Sequence, residues 1–193
     1  MSKKSTIIFL NGVGSVGKTS IAKALQNILD KPFLHIGIDH FIEMLPCKYL
    51  PKGDKSNQGI EFNQKQTKKG PIVHIEIGEI GKKLFQEMRN IMLLLANSGF
   101  DLIIDEVIIG DEFETYKKMF KNHRFITVGI FAPLEIIEKR EKSRTDRTLG
   151  LAKGQFDIVH KDKKYDLEID TSKLSPNECA NLIKTYLLKN RSK

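Results

Sequence analysis

The sequence predicts an α/β protein whose parallel sheet is covered by helices on both faces. Three observations lead there. Short apolar runs alternate with amphipathic stretches along the chain, the pattern of repeated strand–helix units. The first apolar run, Ile7-Ile8-Phe9-Leu10, opens directly into a glycine loop, Gly12-Val13-Gly14-Ser15-Val16-Gly17-Lys18-Thr19. A later run, Leu102-Ile103-Ile104, ends in an acid, Asp105, and in parallel sheets ligands gather at the carboxyl ends of strands.

Residues 5–11 read as a central buried strand and 19–30 as a helix with Ile21, Leu25, Ile28 and Leu29 on one face. Lys31-Pro32 closes that helix. Phe33 to Ile38 is a second strand, ending at Asp39, and His40 to Leu45 a short helix stopped by Pro46. Residues 47–72 are polar with little periodicity, and are expected to form an exposed, mobile excursion of the kind that serves as a substrate loop. Ile77, Ile80, Leu84, Met88, Ile91 and Leu95 recur at three and four, which predicts a long helix over 76–98, capped by Gly99. The next elements are a strand over 101–105, a helix over 111–120 and a strand over 125–131. Pro133 suits the first position of a charged helix. Tyr165 to Ile169 alternates as a strand. Ser175-Pro176-Asn177-Glu178 is a capping box that opens the last helix.

At 193 residues the chain is expected to be one domain, 1–193, with a sizeable core. Apolar residues make up 40% and charged residues 29%, the balance of a soluble protein. No apolar run approaches the ~18–20 residues that span a bilayer. The basic start Met1-Ser2-Lys3-Lys4 leads into a run too short for a signal peptide. Cys47 and Cys179 are isolated thiols, so no disulfide framework is demanded and a cytoplasmic location is expected. The net charge is +8, but the lysines are dispersed and no basic stripe is interleaved with stacking aromatics. No nucleic-acid or membrane partner is expected.

Residues 12–19 satisfy G-x-x-x-x-G-K-[ST] in the strand–loop–helix context that pattern needs. The glycines let backbone N–H groups turn inward onto phosphate oxygens, and the following helix aims its positive end at the same anion. Lys18 can reach the outer phosphates, and the Thr19 hydroxyl can ligate magnesium. Gly12, Gly14 and Gly17 also spell the dinucleotide fingerprint G-x-G-x-x-G, with Asp39 at the distance expected of a ribose ligand. The Lys18-Thr19 pair, Asp105 and an arginine cluster at 140–147 argue against that reading, since a hydride-transfer site requires none of them.

Asp105 can hold magnesium directly or through water; a capping or solvated acid is the competing reading. Asp39, flanking the nucleotide, would face its terminal phosphate and can accept the proton of an attacking hydroxyl; an N-cap of the helix after it is the alternative. Arg140, Arg144 and Arg147 are half of the chain's six arginines. Their i, i+4, i+7 spacing is expected to place them on one helix face. Guanidinium forks suit a transferring phosphoryl group. The alternative is a solvated face paired with Glu138, Glu141 and Asp146. The five histidines lack paired ligand spacing, which disfavours zinc. There is no nucleophile elbow, and the Asn-Lys-x-Asp element of a guanine-specific switch is absent.

The chain resembles the chloramphenicol phosphotransferase-like family of P-loop kinases. The resemblance rests on Phe9-Leu10-Asn11-Gly12 into the phosphate loop, Gly37-Ile38-Asp39 with Phe41 to Pro46 after it, and Gly59-Ile60-Glu61-Phe62. Further on it rests on Leu102 to Val107, Asp146-Arg147, Val159-His160 and Tyr165 to Thr171. It implies a three-layer P-loop kinase fold with a five-stranded parallel sheet, and ATP and Mg2+ as cofactors. It also implies transfer of the ATP γ-phosphate to a hydroxyl of a small molecule. The general base falls on Asp39 and the lid arginines, in a lid at about 138–152, on 140, 144 and 147. The family's acidic pair is Asp-Asp; here it is Asp105-Glu106. Residues 47–75 depart most from the family and are expected to shape the acceptor pocket, so chloramphenicol is one candidate acceptor among others. An adenylylsulfate- or nucleoside-type kinase and a non-catalytic nucleotide-binding switch are the alternative readings. Exposed faces of the helix over 76–98 are a candidate surface for homo-oligomer formation.

Overall fold

Strand β1 (Thr6–Asn11) sends its side chains alternately into two cores, Ile8 and Leu10 into one, Ile7 and Phe9 into the other. The computed structural model describes residues 4–68, 70–145 and 147–190; Met1 to Lys3, Lys69, Asp146 and Arg191 to Lys193 lie outside the described residues. β1 pairs in parallel with β5 (Asp101–Glu106) on one side and β6 (Arg124–Phe131) on the other. β2 (Phe33–Gly37) adds beyond β5 and β7 (Leu167–Asp170) beyond β6. The sheet is therefore five parallel strands, the number the family resemblance implies, in the order β2-β5-β1-β6-β7. The chain leaves β1 toward β2 on one side and later returns to β6 on the other. That reversal opens a crevice at the carboxyl ends of the strands.

Helices α1 (Lys18–Ile28) and α7 (Pro176–Lys189) cover one face with Ile21, Leu25, Ile183 and Leu187. On the other face lie α3 (Glu79–Asn97) and α4 (Glu112–Met119), with Phe85, Met88, Met92, Phe113 and Tyr116. Phe9 sits at the centre of this second core, its ring 4.8 Å from Tyr116 and 5.5 Å from Phe125. The predicted capping box forms: Glu178 N donates to Ser175 Oγ at 3.3 Å, and Ser175 N to the Glu178 carboxylate at 2.8 Å.

Four expectations need correction. Residues 47–72, expected to form an exposed excursion with little periodicity, carry regular structure. They fold as two 3-10 turns, Cys47–Tyr49 and Ser56–Gln58, and an antiparallel hairpin of β3 (Ile60–Thr67) with β4 (Gly70–Ile77). Val73, Ile75 and Ile77 carry the two-residue alternation of β4, but Ile77 also fits the helical spacing that follows, which hid the strand. The long helix therefore begins at Glu79 and not near 76. The short helix α2 (Ile38–Ile42) starts earlier than predicted, because the His40 ring folds back to accept from Gly37 N at 3.0 Å. Asp39 thus stands in the first turn of α2 and not at a strand end. Finally, α5 (Leu134–Lys142) stops short, and a further helix, α6 (Leu151–Phe156), follows it.

Candidate active site

A cleft of about 640 Å³ lies over the carboxyl ends of β1, β2 and β5. The residues of the phosphate loop from Gly14 to Thr19 line it, together with His35, Asp39, Asp105, Arg140, Arg144 and Arg147. Gly17 joins loop to helix with a φ of 108°. That left-handed conformation suits glycine, and it lets α1 begin at Lys18 with its N–H groups directed at the cleft.

Lys18 is buried, and its ammonium donates to Gly12 O at 2.9 Å and Val13 O at 3.0 Å. Asp105 Oδ1 lies 3.7 Å away. Burial pulls the Lys18 ammonium below the ordinary lysine value, against the opposing charges of Asp105 and Asp39. The Thr19 hydroxyl donates to Asp105 Oδ2 at 2.6 Å. Burial pushes the Asp105 carboxyl up, but the Lys18 charge and the contacts of His35 and Thr19 outweigh it and keep the group below the usual carboxylate range. Asp105 is therefore ionised near pH 7. A hydroxyl and a carboxylate this close form the hard-oxygen pair that magnesium takes, with phosphate oxygens and water completing its shell. Among the described residues no group of three or more His, Cys, Asp or Glu side chains could hold a metal.

Glu106, next to Asp105, turns away from the cleft. It is 1% exposed, and the Tyr116 hydroxyl donates to it at 3.3 Å. Burial and the Asp105 charge push its carboxyl up to about 8, so it is largely neutral at pH 7. It is a core acid, whatever the chemistry of its neighbour.

Asp39 faces the cleft with its side chain 53% exposed and an ion pair from Arg147 at 2.9 Å. The three arginines do not share a helix face. α5 ends at Lys142 because Glu141 turns inward. The Glu141 carboxylate, 3% exposed, accepts from Gly150 N and Ala152 N, which draws the chain back after the helix. Arg144 and Arg147 therefore belong to the loop after α5, yet both reach the cleft. Arg140, still on α5, is an anchor. Its guanidinium donates to Val16 O, Thr171 Oγ1 and Thr171 O at 2.8–3.1 Å, tying the phosphate loop to the end of β7.

Three side chains escaped sequence reasoning. Glu141 looks there like a solvated partner of the arginines. Gln155 carries no motif; it is buried and accepts from Gly14 N at 2.9 Å. His35, half-buried and 3.7 Å from Asp105, is one histidine among five. The only local signal of this arrangement is Gly150, which sits at the N-cap of α6 with a φ of 90°. Behind the loop, Asn11 explains two of the resembling segments: its amide donates to Val159 O and Tyr165 Oη, and its carbonyl accepts from Ile108 N.

The family model for chloramphenicol phosphotransferase-like proteins matches residues 5–188. The chain belongs to this family. A Mycobacterium tuberculosis protein provisionally named an O-phosphotransferase is 31% identical over 184 residues, covering 90% of this chain and 78% of its own. Among solved structures, the APS kinase of Mycobacterium tuberculosis in complex with AMPPNP and APS superposes with a TM-score of 0.64 at 15% identity, over 96% of this chain and 98% of that one. A shikimate kinase from Aquifex aeolicus gives 0.58 at 19% identity, over 96% and 98%. These likenesses show a P-loop kinase fold, and the family makes the chain a phosphotransferase. The dinucleotide reading of the glycine loop falls with them.

Proposed function

We propose that the protein transfers the γ-phosphate of ATP to a hydroxyl group of a small molecule, with Asp39 as general base. The observation that carries the proposal is the shared cleft. Asp39 stands across it from the phosphate loop, near enough for its charge to act on Lys18. A switch module that only binds nucleotide has no use for a half-exposed carboxylate held there.

In this reading the loop N–H groups and the start of α1 hold the phosphates. Lys18, at the base of the loop, supplies the charge that neutralises the outer ones. Thr19 and Asp105 would hold magnesium, which when bound offsets phosphate charge. Asp39 accepts the proton of the acceptor O–H as that oxygen forms its bond to the γ-phosphorus. The bond from that phosphorus to the β–γ bridging oxygen breaks, and ADP leaves. Arg147 orients Asp39 before substrates arrive, and with Arg144 it can turn to the charge on the transferring group.

The test is an ATP-consumption screen over hydroxylated metabolites and antibiotics, chloramphenicol first, with the phosphorylated product detected by mass. Asp39→Asn is expected to leave Mg-ATP affinity near wild type and to slow transfer by a factor on the order of 10²–10⁴. Full transfer activity in that variant would reduce Asp39 to a helix-end residue and remove the base from the scheme.

A further inference from the structure

The hairpin and the phosphate loop meet through α6. On one side of α6, Gln155 is 5% exposed and its Oε1 accepts from Gly14 N at 2.9 Å. That N–H shares a peptide plane with Val13 O, which accepts from the Lys18 ammonium at 3.0 Å. A single peptide unit is thus pinned from both ends, by Gln155 and by Lys18. On its other side α6 is seated directly on β4. A Cβ on Gly154 would collide with Val73 O, and Val73 N donates to Gly150 O at 3.0 Å.

We infer that Gln155 is a positioning residue that couples the seating of the β3–β4 hairpin on α6 to the shape of the phosphate loop, and through it to nucleotide affinity. The inference rests on the nucleotide-binding reading of that loop. A part-buried peptide N–H at the cleft wall is held in one orientation by its acceptor. Shift α6, and the Val13–Gly14 peptide loses its acceptor. The carbonyl that receives Lys18 is then free to rotate, and the loop no longer presents one fixed set of donors to the phosphates. The hairpin, part of the segment expected to shape the acceptor pocket, gains a physical route to the nucleotide site that passes through neither Asp39 nor the cleft arginines.

The experiment is a double-mutant cycle read by calorimetric titration with Mg-ADP, on protein kept well below each variant's melting temperature. Gln155→Met keeps the volume and removes the acceptor. Gly154→Ala wedges α6 off Val73 and leaves Gln155 in place chemically. Each is expected to weaken Mg-ADP binding on the order of tenfold, the worth of one buried hydrogen bond. The double variant is expected to be no weaker than the weaker single, because both break the same link. If Gly154→Ala does not fold, Glu141→Gln takes its place, loosening the start of α6 while keeping one acceptor oxygen. Wild-type affinity in Gln155→Met, with only its melting temperature lowered, would make the residue merely structural and overturn the inference. Normal binding in the α6 variant, or multiplied losses in the double, would overturn the coupling. A wild-type chain that binds no Mg-ADP would instead overturn the nucleotide reading, and this inference with it.

Discussion

Glu106→Gln is expected to make the protein more stable at pH 8 than at pH 5, relative to wild type, and by an amount that can be worked out. Glu106 has a carboxyl raised from 4.5 to about 8, chiefly by burial and then by the Asp105 charge. Between those values the unfolded chain has lost the proton and the folded one keeps it. Stability therefore falls as pH rises through this window, by about 1.4 kcal/mol per pH unit, and levels off above about 8. Over the full window the cost is on the order of 5 kcal/mol, a large share of a typical domain's stability. Glutamine keeps an oxygen to accept from the Tyr116 hydroxyl and has no proton to lose. The difference in unfolding free energy between variant and wild type should start at a constant offset near pH 4.5 and climb toward pH 8. Urea unfolding at half-unit steps from pH 5 to 8.5, with the denaturant slope unchanged between the two proteins, measures it. A difference that stays flat across that range would refute the reasoning, since it would mean that Glu106 titrates alike in the folded and unfolded chain.

Two further outcomes bear on the cleft. Lys18→Ala should abolish ATP turnover while circular dichroism and the unfolding transition stay cooperative; turnover at the wild-type rate would remove the phosphate-loop assignment. Arg147→Ala should leave the melting temperature almost unchanged, because a half-exposed ion pair is worth about 0–1 kcal/mol. It should slow phosphoryl transfer more than it weakens Mg-ATP binding, and equal effects on both would point to ground-state binding alone.

The parts of the site that could be read from the sequence are those whose geometry is local. Residues 12–19 fold back over their own N–H groups, so spacing alone specifies a phosphate loop. Asp105 closes an apolar run, and the Ser175–Glu178 box is complete within four residues. Strands β1, β5 and β6 declare themselves because each buries a run of branched or aromatic side chains, and β7 through the alternation of Leu167 and Ile169 with Glu168 and Asp170. The hairpin is the opposite case. Apolar alternation in its β3 half stops after Ile60 and Phe62; Asn63-Gln64-Lys65-Gln66-Thr67 has none, and pairing with β4 is what makes that stretch a strand.

The same distinction separates the two kinds of residue in the cleft. The sequence by itself determined the α/β class, the phosphate loop and the candidate base, since each depends on residues adjacent along the chain or one strand apart. Only the tertiary structure decided that Arg140 anchors the loop while Arg147 pairs with Asp39, although they share a charge and a spacing. It also decided that Glu141 and Gln155 are buried partners of backbone N–H groups, and that Glu106 is a neutral core acid beside an ionised one. Burial and the approach of distant N–H groups set those roles, and neither is a property of a residue's neighbours in sequence.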